Sequence, residues 1–468
     1  MRLSHRLGVA IAVAATGIFA IAAPAVAGAG QRATAVPGGT QVWVQRFGGA
    51  HLSASATSVA ASPDKAVVYV TGITAKTLTG LRNEVTVAYN AATGKQLWLA
   101  RYQGVVHHPR GFTGIPSITV SPDGATVYVA GDLGETSSFN DYLMLAYNAA
   151  TGALRWAVTP VSFSFAAQFK AVAVSPDSTT VYMTGRRDFF GGNASKSYDT
   201  VALDAATGAT KWNANTKFPP HVFHTLTSIA LSPDGSTVFI AGSSGTVAYD
   251  AATGAQLWLD SYKQAYDRSR ISLAVSPDSS TVYVTGGSDA PGSTAKHYWT
   301  AALSAATGAQ QWQATYHGPV NPRGAATTGI ALSPDGSVVY VTGSGGQANG
   351  LNEYATIGYD AATGHQLWLA TYSTAAVDND ATGLAVSPGG SVVYVTGSSL
   401  AGFDTPGDYA TVAYNATSGA RLWAARYAVT GAQNNAAAVA VSGGNAIVTG
   451  TSGPFGGQSD FATVAYQG

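Results

Sequence analysis

One tripeptide constrains this chain more than any other feature. Ser-Pro-Asp or a close variant starts at Ser62, Ser121, Ser175, Ser232, Ser276, Ser333 and Ser387, with a degenerate copy at Ser442. The intervals are 54–59 residues, apart from one of 44. A second signature, Ala-Ala-Thr-Gly, starts at Ala91, Ala149, Ala205, Ala251, Ala305 and Ala361, with Ala416-Thr417-Ser418-Gly419 as a variant. Four residues after each Gly stands a tryptophan: Trp98, Trp156, Trp212, Trp258, Trp312, Trp368 and Trp423. Self-similarity at this period is the mark of a repeat architecture, in which each unit buries its faces against its neighbours.

Residues 327–372 illustrate the unit. Thr327 to Leu332 reads as a first strand, and Ser333-Pro334-Asp335-Gly336 as a tight turn in which Pro presets φ and Gly accepts a positive φ. Val338 to Thr342, β-branched and aromatic, is a second strand stopped by Gly343. Tyr354 to Tyr359 forms a third strand, Asp360 to Gly364 a turn, and Gln366 to Thr371 a fourth strand. Four short antiparallel strands make one propeller blade. A sandwich is the other all-β arrangement, but sheets apolar on both faces need radial stacking to cover them. A buried Trp contributes on the order of 200 Å², so one per unit serves as a wedge between blades.

The last unit stops after Phe461 to Tyr466, a third strand with no following Trp, while Gln41 to Phe47 matches a fourth strand. Pairing the two segments closes the ring and removes an open sheet edge. The expected fold is therefore an all-β, eight-bladed β-propeller over residues 41–468, with structural docking by Trp43, Trp98, Trp156, Trp212, Trp258, Trp312, Trp368 and Trp423.

Ala248 to Gly254, followed by Trp258, matches the Ala-x-Asp-x-x-Thr-Gly-x-x-x-Trp docking motif, as does Ala202 to Trp212. On these residues the chain resembles quinoprotein-type (PQQ-like) eight-bladed propellers, a likeness that spans residues 41–468. Asn90, Asn148, Asn415 and Ser304 stand where that motif has Asp, and Gly358 replaces its leading Ala. The family includes dehydrogenases that use pyrroloquinoline quinone with calcium, and also non-catalytic scaffolds. Its alcohol-oxidising branch carries adjacent cysteines over the cofactor, and this chain has no cysteine. Ser333 to Gly343 also resembles the Tyr-Val-Thr-Asn type of surface propeller repeat.

Charged residues are only 10% of the 468, with 24 basic against 24 acidic, so no basic field exists to hold nucleic acid. Without cysteine there is no thiolate metal site or thiol nucleophile. Arg2, His5 and Arg6 precede an apolar run from Leu7 to Ala23 and then Ala25-Val26-Ala27, the pattern of a secretory signal cut before Gly28. The expected organisation is a signal peptide at 1–27, a flexible tail at 28–40 and the propeller, secreted and without stable membrane insertion once cleaved.

Strand order places the Ser-Pro-Asp and Ala-Ala-Thr-Gly turns on one plain face. Loops between second and third strands, and connections between blades, share the opposite face and differ in every repeat, which is where binding residues concentrate. Seven histidines fall there: His51, His107, His108, His221, His224, His297 and His317; His365 lies on the plain side. His107-His108 and His221-x-x-His224 are the pairs from which a metal site would be built, although whether any metal binds is open. Arg186-Arg187-Asp188-Phe189-Phe190 is a compact basic and aromatic contact cluster. Trp299 stands outside the docking set, either as a stacking platform or as core. Asp378-Asn379-Asp380 lacks the Gly and distal Glu of a calcium loop and reads as a turn. A carboxylate recurs before the third strand (Glu84, Asp141, Asp199, Glu353, Asp408, Asp460), with His297 in its place in the fifth blade, and reads as a loop-to-strand hydrogen-bonding residue or as an acidic ring. The fourth blade keeps only Ser243-Ser244-Gly245 between its middle strands, a notch in the rim.

The ligand-binding candidates are thus Arg186, Arg187, Phe189, Phe190, Trp299, His107, His108, His221 and His224, with no catalytic residue assigned. The function expected is a secreted, non-catalytic propeller whose variable loops bind an extracellular protein or glycan, with no cofactor. The alternatives are a quinone- and calcium-dependent dehydrogenase and a propeller hydrolase or lyase.

Overall fold

The computed structural model describes residues 37–48, 53–75, 82–103, 116–134, 140–160, 166–188, 197–217, 226–262, 271–289, 296–318, 326–347, 350–374, 378–400, 407–454 and 457–468. They form eight antiparallel blades of four strands: 53–102, 117–158, 166–217, 226–261, 272–316, 326–372, 378–427, and 432–467 joined by 41–47. Blades 2 and 3 also touch through one parallel pair, Ala166 opposite Asn140. Each blade's first strand neighbours the first strands of the two adjacent blades, so eight inner strands encircle the axis. Middle strands are buried on both faces, as their unbroken β-branched and aromatic runs require, whereas fourth strands alternate as half-exposed edges. The core lies in wedges, one between each pair of neighbouring blades.

The docking tryptophans join those wedges. The Trp98 indole Nε1 donates to the Ala149 carbonyl of blade 2 at 2.8 Å, and its ring lies against Gly152, whose φ of 71° forms the turn. A Cβ at Gly152 would stand 2.6 Å from the indole, so glycine is required both for the turn and for the approach. Trp43, Trp156, Trp212, Trp258, Trp312 and Trp368 repeat the bond to Ala91, Ala205, Ala251, Ala305, Ala361 and Ala416 at 2.8–3.2 Å.

Blade 8 closes the ring as expected, with Trp43 opposite Ala465 and Gln41 opposite Tyr466. The docking turn that receives Trp423 is divided between the two ends of the folded unit. Gly39 N donates to Gln467 O, and Gln467 N to Thr40 O, both at 2.8 Å. Blade 1 makes the same two bonds within continuous chain, from Gly94 N to Asn90 O and from Asn90 N to Lys95 O. Gly38 and Gly39 lie against the Trp423 ring, and residues 37–40, assigned on sequence to the tail, complete this turn.

The second strand of blade 6 runs to Gly346 rather than stopping at Gly343. The first strand bulges between Thr327 and Gly329, and a Cβ on Gly343 would overlap the Ala326 carbonyl oxygen. Gly343 thus admits a bulged neighbour, not a strand end.

Trp98→Ala is expected to cost about 3–5 kcal/mol in urea unfolding, the range for truncating a buried Trp. Leu97→Ala, at an edge-strand side chain 48% exposed, should cost less than about 1 kcal/mol.

Candidate functional site

The plain face is used by the fold itself. In each full Ser-Pro-Asp turn the serine Oγ donates to the aspartate, as Ser333 does to Asp335 at 2.5 Å, and this bond holds the Asp335 carboxyl below its usual range. The Pro of one blade packs on the Gly of the next, Pro176 on Gly235 and Pro334 on Gly390. In the docking turns Asp360 accepts from the Thr363 amide and hydroxyl, which fixes the loop under Trp312. His365 is exposed beside this turn.

Of the residues expected on the opposite face, His51, His107, His108, His221, His224, Phe189 and Phe190 lie outside the described residues. Arg187 is described through its backbone, which pairs with Ala167 and Ser197. Arg186 pairs with Tyr198, and its carbonyl accepts from Tyr142 Oη at 3.3 Å, which brings blades 2 and 3 together there. The blade 4 hairpin is as short as its sequence, with Gly242 opposite Gly245. Ser243 and Ser244 at its tip are buried, and the Ser244 amide donates to Tyr198 Oη of blade 3 at 3.1 Å. The shortened tip therefore leans on its neighbour.

Trp299 is core. It is 4% exposed between blades 4 and 5 and meets Tyr262 edge-on at 5.2 Å, which leaves no ring face for a ligand. Asp378-Asn379-Asp380 is not a turn but the start of the first strand of blade 7. Asp378 and Asp380 accept from the Asn352 amide and Nδ2 of blade 6 at 2.8 and 2.9 Å.

The recurring carboxylates occupy three registers. Counted back from the residue opposite the docking Trp, Asp141, Glu353, Asp408 and Asp460 share one place with His297, Glu84 is one residue nearer and Asp199 two. Asp408 and Asp460 pair with Arg426 and Arg46 at 2.8 and 2.9 Å. One step in a strand turns a side chain to the other face, so Glu84 is fully buried against blade 2. It accepts from Thr71 Oγ1 at 2.9 Å, from Thr86 Oγ1, and from Tyr147 Oη at 2.8 Å. Burial outweighs these donors and pushes its carboxyl up to about 7. Asp132, which the sequence reading did not single out, accepts the Phe169 amide of blade 3 at 2.6 Å and is likewise pushed up to about 7 by burial. Its signal was an acidic residue within an otherwise apolar middle strand.

A quinone bearing several carboxylates, with its calcium ion, calls for cationic groups and a cluster of oxygen ligands near the axis. The described inner strands carry Lys170, Asp378 and Asp380 as their charged residues, and both aspartates are engaged with Asn352.

The repeat geometry agrees with a family match over most of the chain. The family described as outer membrane protein assembly factor BamB matches residues 30–292 and 296–458. The chain belongs to this PQQ-like repeat family. Its fold is similar to the C-terminal WD40 domain of Sif2 (TM-score 0.57, 11% identity, covering 92% of this chain and 100% of that one). It is also similar to quinohemoprotein alcohol dehydrogenase from Comamonas testosteroni (TM-score 0.52, 15% identity, 91% and 76% covered). BamB from Moraxella catarrhalis aligns at TM-score 0.43 and 16% identity, with 92% and 97% covered. No curated protein matches the chain in sequence.

The raised Glu84 carboxyl gives a signed pH dependence. Below pH 4.5, its ordinary value, both folded and unfolded chains hold the proton. Between 4.5 and about 7 the unfolded chain releases it first, so the Glu84 contribution to stability falls as pH rises. At about 1.4 kcal/mol per pH unit, the loss approaches about 3 kcal/mol above pH 7. Glu84→Gln abolishes this term, so its stability relative to the parent should rise by that order between pH 4.5 and 7.5 in urea titrations. A constant difference would refute the assignment.

Proposed function

We propose that this chain is an exported, non-catalytic propeller that holds a polypeptide partner on the face formed by its second-to-third-strand loops and its blade connections. The observation that carries this reading is the division of labour between the faces. The plain face spends its repeated turns on joining blade to blade through tryptophan and proline contacts. Length varies on the other face, from the two residues Ser243-Ser244 to the connection spanning 103–116. A rigid ring with one free, varied face is suited to recognition.

The family's description as an assembly factor for outer membrane proteins supports a polypeptide as the class of partner. The basic and apolar start of the chain supports export, and among the described residues no helix is long and apolar enough to cross a membrane. The basic and aromatic cluster Arg186 to Phe190 is the contact region of this reading.

Three measurements test it. Mass spectrometry of the exported protein should give Gly28 as the first residue. Immobilised chain should retain envelope polypeptides, and Phe189→Ala with Phe190→Ala should weaken that retention at least tenfold, while His365→Ala on the plain face leaves it unchanged. Retention of glycans instead of polypeptides would overturn the partner class, as would dye-linked turnover after loading with the quinone and calcium for the non-catalytic role.

A further inference from the structure

Blade 5 differs from blades 7 and 8 at one register. His297, near the start of the third strand (Lys296–Ser304), occupies the place of Asp408 in blade 7 and Asp460 in blade 8. Those carboxylates are each met by an arginine of the fourth strand. In blade 5 the place of Arg426 belongs to Thr315, and His297 meets His317 instead. The two Nδ1 atoms are 3.2 Å apart, the ring centroids 4.4 Å, and the ring planes are inclined by 70°. The His317 carbonyl oxygen lies 3.4 Å from the His297 Nδ1. His297 is 9% exposed and held among packed strands, whereas His317 is exposed.

An arginine and a carboxylate form an ion pair, whereas two imidazoles carry no opposite charges and meet here through one nitrogen-to-nitrogen contact. A neutral imidazole offers one nitrogen lone pair, the donor type preferred by borderline divalent ions. Zinc–nitrogen bonds of about 2.0–2.1 Å in a tetrahedral site set the two nitrogens about 3.3 Å apart. The observed separation is within 0.1 Å of that value. Strand pairing supplies the separation, since Tyr298 opposite Tyr316 fixes the histidines that flank them.

We propose that His297 and His317 form a site for a borderline divalent transition-metal ion, of which zinc is the representative, held through both Nδ1 atoms. His297 is the anchored ligand and His317 the exposed one. No third His, Cys, Asp or Glu joins them among the described residues, so the remaining coordination positions open to water or to a donor from a bound partner. This site is independent of the pairs His107-His108 and His221-x-x-His224 and of the proposed partner-binding role.

Isothermal titration of the exported, metal-stripped protein with zinc chloride tests the site, followed by cobalt(II) substitution and its visible absorption. One saturable equivalent is expected, weakened at least tenfold by His317→Ala. The double variant His297→Asp with Thr315→Arg reproduces the ion pair of blade 7 in blade 5, so the fold is retained while the equivalent and the cobalt absorption are lost. Absence of a saturable equivalent in the parent would overturn the proposal. Undiminished uptake by the folded double variant would do the same, because the ion would then be held elsewhere.

Discussion

The ring rests on an indole laid over a glycine. Seven of the docking tryptophans lay the ring against the neighbouring blade and donate the one polar hydrogen to a carbonyl there, so an amphipathic side chain is satisfied at both ends. The acceptor is positioned by a turn whose Gly has positive φ, and the same Gly leaves room for the ring. Tryptophan, alanine carbonyl and glycine therefore form one contact, and losing any member loses the others. In a repeat protein stability is close to a sum of unit and interface contributions, so repeating one well-made interface is an economical way to hold a large β-structure without disulfides.

That arrangement has a cost in symmetry. The plain face repeats because every turn has the same structural task, and repetition is poorly suited to specific recognition. Departures from the repeat occur elsewhere: the short hairpin of blade 4 leaning on Tyr198, the buried carboxyls of Glu84 and Asp132 between early blades, and the histidine pair of blade 5 where blades 7 and 8 place ion pairs. Such departures persist in a repeat only where the local packing supports them, as the hydrogen bonds to Glu84 and Asp132 illustrate.

The blade count, docking tryptophans and pairing of the terminal strands were legible because each is marked by a short local motif. Features that depend on two distant segments were not. Gly343 reads as a strand end until the bulge in the preceding strand is seen to press a carbonyl against it. Glu84 seems equivalent to Asp408 when positions are counted from the loop, but counting from the docking alanine separates them and places Glu84 on the opposite face. Trp299 is ambiguous in sequence because an exposed platform and a core residue have the same composition; burial against Tyr262 decides it. His297 and His317 are twenty residues apart and meet through strand pairing.

The turn that receives Trp423 is assembled from Gly39 and Gln467 across a gap in the covalent chain. Seven blades each form from one continuous segment, whereas the eighth joins strand 41–47 to three strands that follow all the other blades in sequence. The strand at 41–47 stays unpaired until that distant segment reaches it, and this meeting converts an open spiral into a circle.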